Sequence, residues 1–169
     1  MTAVSNSVFT AAQFNQFVRD NLNETAPAKA TQAGSHFVGT GVNSIAERLG
    51  QSDLITTSQT TTSTSYTDLA TVGPSFTTTT GPLAWVFLYN SSLNSGSTAS
   101  LMSYTVSGAS SVSAQDAQSI GVSGTNGGRF GAVFLQSGLT AGSNTFTCKY
   151  RVGGGTGTYA DRRIAVFPL

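Results

Sequence analysis

The chain has 169 residues, a length that suits one folded domain with an appended segment. Only 9% of them are charged, against about 25% in an average soluble domain, and the net charge is +1. This balance excludes the basic surface that a nucleic-acid-binding protein needs, and no apolar run approaches the roughly 18 residues of a membrane span. The N-terminus lacks the basic and apolar regions of a secretion signal, so we expect synthesis in a cytoplasm. The abundance of Thr, Ser, Gly and Asn suits an extracellular or virion-exposed protein better than a cytosolic enzyme.

Residues 8–22 predict the one convincing helix. Thr10 suits the N-cap, Gln13 follows at the spacing of a capping box, and Phe9 and Phe14 have the spacing of a hydrophobic staple. An apolar stripe with helical periodicity continues from Phe14, and a helix this short is marginal alone in water. The stripe packs either on the chain's own β domain or on another protein or copy, and we favour the second. The expected anchoring residues are Phe9, Phe14, Phe17, Val18 and Leu22.

The following segment, residues 28–53, is a connector. Its apolar residues are single and widely spaced, and glycines separate them. They are too few for a core and too many for a free linker, so we expect strand-like or short helical pieces intertwined with other chains. His36 is the single histidine, and we expect a solvated or interface side chain rather than a ligand. Residues 1–54 therefore form the predicted anchoring and oligomerisation region, and residues 55–169 the β domain.

Beyond residue 55 the pattern is that of short strands separated by turn residues. About eight strands at intervals of roughly 8–12 residues are typical of a β-sandwich or jelly roll. The predicted class is therefore mainly β, an antiparallel, jelly-roll-like sandwich preceded by a short helix and an extended connector. After an edge strand that ends near Asp68, the predicted strands are residues 75–80, 83–89, 99–107, 118–123, 129–136, 145–152 and 159–169.

The clearest of these strands is 145–152, which alternates strictly. Phe146, Cys148 and Tyr150 share one face, while Lys149 and Arg151 share the other. Cys148 is the single cysteine, so no internal disulfide can form. Its place on the apolar face predicts a buried and unreactive thiol.

The strand 83–89 is apolar on both faces. Trp85, Phe87 and Tyr89 lie on one face, opposite Val86 and Leu88. An antiparallel sandwich normally exposes one face of each sheet to water, so the second apolar face needs a further cover. The simplest cover is another subunit, which makes Trp85, Phe87 and Tyr89 the candidate interface residues. The sequence leaves open which of the two faces meets the core.

Catalytic and ligand motifs are sparse, so we expect no enzyme, no cofactor and no metal site. The sequence has no G-x-S-x-G nucleophile elbow, and a single His and Cys offer little to a metal. A G-x-G-x-x-A match at residues 155–160 is followed by too few residues for a helix and a second strand, so it predicts a hairpin turn. Aromatic side chains beside the predicted loops 90–98 and 124–128 could stack on a sugar, although a core or interface place is the simpler expectation.

Several stretches resemble virion proteins of actinobacterial bacteriophages. V-F-T-A-A-Q-F-N-Q-F-V-R-D-N-L at residues 8–22 resembles the N-terminal segment of small virion proteins. A-G-S-H-F-V-G-T-G-V-N-S-I-A-E-R-L-G at residues 33–50 is similar to connector repeats of tail-fibre and minor tail proteins. Four stretches of the C-terminal half resemble the β domain that accompanies these segments in such proteins. They are G-P-S-F at 73–76, S-G-A at 107–109, G-L-T-A-G-S-N-T-F-T-C-K-Y-R-V at 138–152 and R-R-I-A-V at 162–166.

This resemblance implies a structural protein of the virion, anchored by its N-terminal segment and displaying a β-sandwich. The connector occurs once, which favours a short fibre or minor tail subunit over a long fibre, and fibre-like relatives are typically threefold, so a homotrimer is expected. A capsid decoration (cement) protein is the alternative within this class. A carbohydrate- or receptor-binding module is the alternative outside it. The implied partners are other copies, other tail or capsid proteins and, for the binding module, a glycan of the host cell surface.

Overall fold

The computed structural model describes residue 8, residues 10–23 and residues 25–169. Phe9, expected in the hydrophobic staple and among the anchoring residues, lies outside the described residues. The chain divides into two compact units, one ending at Glu47 and the other beginning at Arg48. This division precedes the predicted boundary at residue 54, because Gln51–Ile55 already forms a strand paired with the C-terminal strand of the second unit.

The first unit contains the predicted helix, with a change of geometry in its middle. It runs as α1 (Ala11–Phe14), a π-helical turn (Asn15–Arg19) and α2 (Asp20–Asn23), and a short α3 (Ala26–Lys29) follows. The capping box is confirmed. The Gln13 N–H donates to Thr10 Oγ1 over 3.2 Å, and the Thr10 N–H donates to Gln13 Oε1 over 3.0 Å.

The connector contains a β-hairpin formed by β1 (His36–Gly41) and β2 (Ser44–Arg48). Its two-residue turn places Asn43 at φ 55, a left-handed conformation that asparagine tolerates well and that short hairpin turns require. The predicted strand-like pieces are therefore two neighbouring strands of one chain, and His36 is the first residue of β1.

Glu47 on β2 ties this hairpin to the segment before it. Its carboxylate accepts hydrogen bonds from the Thr31 N–H at 2.9 Å, the Gln32 N–H at 3.0 Å and the Ser35 hydroxyl at 2.6 Å, and a further one from the Thr31 hydroxyl. Hydrogen bonds to the charged form favour it. The hydrogen bonds from Ser35 and Thr31 are the main cause that lowers the pKa of Glu47 from 4.5 to about 2.

We expect the order of residues 31–48 to depend on pH through Glu47. Because its pKa is lower in the folded protein, its stabilising effect is complete above about pH 4.5 and is lost as the pH falls towards 2. NMR titration of the side-chain carboxyl should give a midpoint near 2. Hydrogen exchange at the Thr31 and Gln32 amides should accelerate over the same interval. In Glu47→Gln that acceleration should vanish, and a midpoint near 4.5 in the unmodified chain would contradict the hydrogen-bonding scheme.

The second unit is an antiparallel, jelly-roll-like β-sandwich. Its first sheet has the strand order β5-β10-β7-β8, and its second has the order β3-β11-β6-β9, with β4 also paired to β11. The strands are β3 (Gln51–Ile55), β4 (Gln59–Thr61), β5 (Ser75–Thr80), β6 (Ala84–Asn94), β7 (Ala99–Gly108), β8 (Ile120–Ser123), β9 (Gly128–Gln136), β10 (Gly142–Val152) and β11 (Gly157–Pro168).

Two of the predicted boundaries are wrong. The edge strand expected to end near Asp68 is instead β3 and β4, and Thr67 meets the sandwich by one bridge to Tyr150. The polar loop expected from residue 90 begins only after Asn94, because the interior offers hydrogen-bond partners to inward polar side chains of β6. The Asn94 amide, for example, donates to Ser100 Oγ and to the Gly154 carbonyl, each over 3.1 Å, as a buried amide requires.

The core lies between the sheets and takes one face of each strand. The expected faces of β10 are confirmed, since Phe146, Cys148 and Tyr150 are fully buried. Burial raises the pKa of the Cys148 thiol well above its ordinary value. The open question about β6 is also answered, because Val86 and Leu88 are buried. The second sheet further contributes Tyr159, Ile164 and Val166, and the first sheet Met102, Tyr104 and Val106.

Candidate functional site

The outer face of the second sheet carries a continuous apolar surface. Trp85 on β6 stands opposite Phe167 on β11 and Leu135 on β9, and Phe87 stands opposite Val133. Each of these side chains is 38–51% exposed. We call this group the apolar face: Trp85, Phe87, Val133, Leu135 and Phe167.

The apolar face is ordered by its own contacts. Phe87 and Phe167 meet edge to face, with ring centroids 5.5 Å apart and an interplanar angle of 69°, a preferred aromatic geometry. Gly50 lies so close that a Cβ there would come within 2.4 Å of the Phe167 ring. The exposed parts of the five side chains add up to a few hundred Å², the size at which an apolar patch on a soluble protein commonly indicates an interaction site.

The opposite outer face, on the first sheet, is polar. Hydroxyl pairs cross from β5 to β10, with 2.7 Å between Ser75 Oγ and Thr147 Oγ1 and 2.7 Å between Thr77 Oγ1 and Thr145 Oγ1. Further along β10, Lys149 Nζ lies 2.7 Å from both carboxylate oxygens of Asp68. The side chains of this face satisfy one another or meet water, so it needs no protein cover.

A hydrogen-bonded cluster around Asp116 lies at the same polar face. Asp116 accepts hydrogen bonds from the Arg151 guanidinium and, over 2.9 Å, from the Tyr66 hydroxyl. The Arg151 hydrogen bonds hold the pKa of Asp116 below its ordinary value. Burial, followed by the Asp116 carboxylate, raises the pKa of Tyr66 to about 12. This cluster fixes loops to the sheet, because Tyr66 and Asp116 lie outside the strands and Arg151 lies on β10.

An open cleft lies on the outer face of the second sheet, beside the apolar face. The cleft has a volume of about 590 Å³ and is lined by Leu54, Tyr89, Arg129, Asp161 and Arg163. Register explains their convergence, because Arg163 on β11 stands between Leu54 on β3 and Tyr89 on β6. Arg129 Nη2 lies 3.4 Å from Asp161 Oδ2. The cleft thus combines two cations, one carboxylate, one phenol ring and one aliphatic side chain.

A β-bulge in β11 shapes this cleft. The register shifts between Ala160 and Arg163, so that Asp161 and Arg162 together oppose the single residue Asn90. Asp161 has φ 48, a left-handed conformation that Asp adopts more readily than most residues. Its side chain lines the cleft, whereas Arg162 is fully buried in the sandwich.

The structure separates the predicted interface residues into two groups. Trp85 and Phe87 belong to the apolar face, whereas Tyr89 is half-buried and lines the cleft. The sequence interpretation missed the other members of the apolar face. The signal was present in the sequence of β9. Val133 and Leu135 share one face of this strand, and its other face also carries apolar residues, so the strand is apolar on both faces.

The predicted anchoring residues lie on the helical segment of the first unit. Phe14, Phe17 and Leu22 are 49%, 39% and 60% exposed, and Val18 is half-buried. The stripe therefore presents large apolar side chains at its surface.

In the described part of the chain, neither a metal-ligand cluster nor a membrane-spanning helix adds to these surfaces. No three His, Cys, Asp or Glu side chains gather in the described part of the chain as a metal site would require. Within residue 8 and residues 10–23 and 25–169, no helix is long and apolar enough to cross a bilayer.

Comparison with known proteins yields a fold likeness alone. No protein-family model matches the chain, and no curated protein matches it. A solved structure described as Eiger TNF from S. frugiperda is similar, with a TM-score of 0.49 and 11% sequence identity. The likeness covers 72% of this chain and 92% of that one. At this level of similarity it carries no argument about function.

Proposed function

We propose that this protein is a non-enzymatic structural subunit of a bacteriophage virion. Its N-terminal segment holds it in the particle, its β-sandwich is displayed, and the assembled form is a homotrimer of the minor tail or short fibre type. The observation that carries the proposal is the contrast between the two outer faces of the sandwich. One face is polar and internally satisfied, and the other is apolar and exposed.

Self-association follows from the apolar face. A standard interface buries about 800 Å² per partner, with an apolar core surrounded by a polar rim. The five side chains of the apolar face supply such a core, and aromatic residues are the side chains on which binding energy concentrates. The charged groups of the adjoining cleft, Arg129, Asp161 and Arg163, would lie at the rim, where they cost little desolvation.

Anchoring rests on the helical stripe together with the resemblance of residues 8–22 to virion proteins. Exposed Phe14, Phe17 and Leu22 form an i, i+3, i+8 pattern on a segment too short to be stable by helix propensity alone. Amphipathic helices of this kind bind by laying their apolar side chains in a groove of a partner. We assign that partner to the tail, with the capsid as the alternative location.

The anchoring role predicts a loss of incorporation when the stripe is removed. Particles that carry Phe14→Ser with Phe17→Ser should lack the protein, because two aromatic anchors are lost, while the sandwich stays folded on its own core. The matched control is Asn15→Ser with Gln16→Ser, which changes exposed polar residues of the same helix. Quantitative immunoblotting of purified particles measures the outcome, and normal occupancy of the Phe14/Phe17 variant contradicts the anchoring role.

The copy number of the protein in purified particles distinguishes a tail location from a capsid location. A handful of copies for each particle fits a tail or fibre subunit. A copy number comparable with that of the major capsid protein fits a decoration protein instead.

A further inference from the structure

We propose that the cleft on the outer face of the second sheet binds an acidic saccharide, that is, a sugar ring that carries a carboxylate. The cleft is the one lined by Leu54, Tyr89, Arg129, Asp161 and Arg163. A saccharide would bind the charged groups of this cleft, whereas self-association uses the apolar face, so the two proposals can fail separately.

Arg163 supplies the carboxylate site. It is exposed on β11, between Leu54 and Tyr89, and no carboxylate of the described residues pairs with it. A guanidinium offers two parallel N–H donors that match the two oxygens of a carboxylate. Arg129 adds a second cation on the other side of the cleft, where it lies 3.4 Å from Asp161. The lining therefore carries an excess of one positive charge, which favours an anionic ligand.

Tyr89 supplies a platform for the sugar ring. It stands directly opposite Gly131 on β9, and a methyl group at Gly131 would already come within 3.7 Å of the Tyr89 ring. Because Gly131 has no side chain, nothing from β9 extends over the ring at this position. The phenol ring gives the C–H face of a pyranose an apolar surface, which a plain anion site lacks.

Asp161 supplies the hydroxyl contacts. Its carboxylate can accept hydrogen bonds from sugar O–H groups, and the β-bulge fixes it on the cleft side of the strand while Arg162 turns into the core. Bulges and left-handed non-glycine residues are enriched at binding sites, where they aim a side chain. Asp161 combines both features.

The location on the sheet favours a saccharide over an acidic peptide. An extended peptide commonly binds by adding a strand to a free sheet edge. This cleft spans the faces of β3, β11, β6 and β9, with Arg163 on β11, so its contacts come from side chains and converge on one small area. That arrangement suits a compact ring with a single carboxylate.

The first test is an NMR titration of the full chain with sodium glucuronate, and with glucose and sodium acetate at matched ionic strength. We expect saturable shifts at the backbone amides of Tyr89, Asp161 and Arg163 with glucuronate. Binding of glucose and of acetate should each be at least about tenfold weaker, since each lacks one half of the recognised chemistry. Absence of shifts in the cleft, equal binding of glucose, or equal binding of acetate would each overturn the proposal. Tighter binding of an acidic peptide than of glucuronate would do the same.

Variants assign the effect to the cleft. Arg163→Gln should weaken glucuronate binding roughly tenfold to a hundredfold, the range expected for hydrogen bonds to a charged group. Arg19→Gln is the matched control, because it removes the same charge from the first unit and should leave binding unchanged. Equal losses in Arg163→Gln and Arg19→Gln contradict a site at Arg163.

Discussion

Val133→Lys is expected to convert the assembled protein into monomers. Val133 lies on β9 directly opposite Phe87 and is 51% exposed in the single chain, so a lysine there is compatible with the fold. In the assembly the same ammonium group would be buried among aromatic rings without a partner, which is costly. The few residues that dominate an interface each contribute about 2 kcal/mol or more. We place Val133 among them, and we therefore expect the dissociation constant to rise by about 30-fold or more.

The matched control is Thr79→Lys, an exposed strand position on β5 of the opposite sheet. It introduces the same side chain and the same charge on the polar face, where we expect no effect on assembly. Size-exclusion chromatography with light scattering measures both variants over a range of concentrations, and circular dichroism checks that both remain folded. Equal behaviour of the two variants would exclude the apolar face as the interface.

Arg162→Ala is expected to produce the largest loss of stability. Arg162 is fully buried, its guanidinium donates to Gln59 Oε1 over 3.1 Å and to the Thr57 carbonyl over 3.4 Å, and it lies 5.3 Å from the centroid of the Tyr150 ring. Truncation leaves a cavity and removes hydrogen-bond donors from these part-buried oxygens and from the buried Gly73 carbonyl. Cavity formation and orphaned polar groups together should lower the free energy of unfolding by about 3–5 kcal/mol.

Arg163→Ala provides the comparison one residue away. Arg163 is exposed and faces the cleft, so its removal should change the free energy of unfolding by less than about 0.5 kcal/mol. Urea unfolding of both variants, analysed with a common slope, gives the two differences. If Arg163→Ala is as destabilising as Arg162→Ala, the bulge does not direct Arg162 into the core and Arg163 to the surface.

The alternation of apolar and polar residues correctly predicted the strands in which the backbone pairing is regular. In β10 every second side chain meets the core, so Phe146, Cys148 and Tyr150 could be assigned from the sequence. In β6 the doubly apolar pattern correctly predicted that one face remains exposed after the sandwich forms. Which face meets the core was not predictable, because both contain large apolar side chains and only the pairing with β9 and β11 decides between them.

Irregular pairing limited the prediction elsewhere. Strict alternation places Tyr159 and Ile164 on opposite faces, yet both are buried, because the extra residue at Asp161 reverses the phase of β11. A bulge of this kind has no fixed sequence signature, so the cleft that it shapes could not be predicted. Likewise, the inward Asn94 of β6 resembles a loop residue in sequence and becomes a strand residue because its amide finds partners in the Ser100 hydroxyl and the Gly154 carbonyl.

Sedimentation equilibrium of the purified, unmodified chain at micromolar concentration tests the central claim most directly. If the apolar face joins copies of the protein, the measured mass will be three times the 17.3 kDa of the single chain, and it will fall with dilution according to one association constant. A mass of 17.3 kDa at every concentration would contradict self-association through the apolar face.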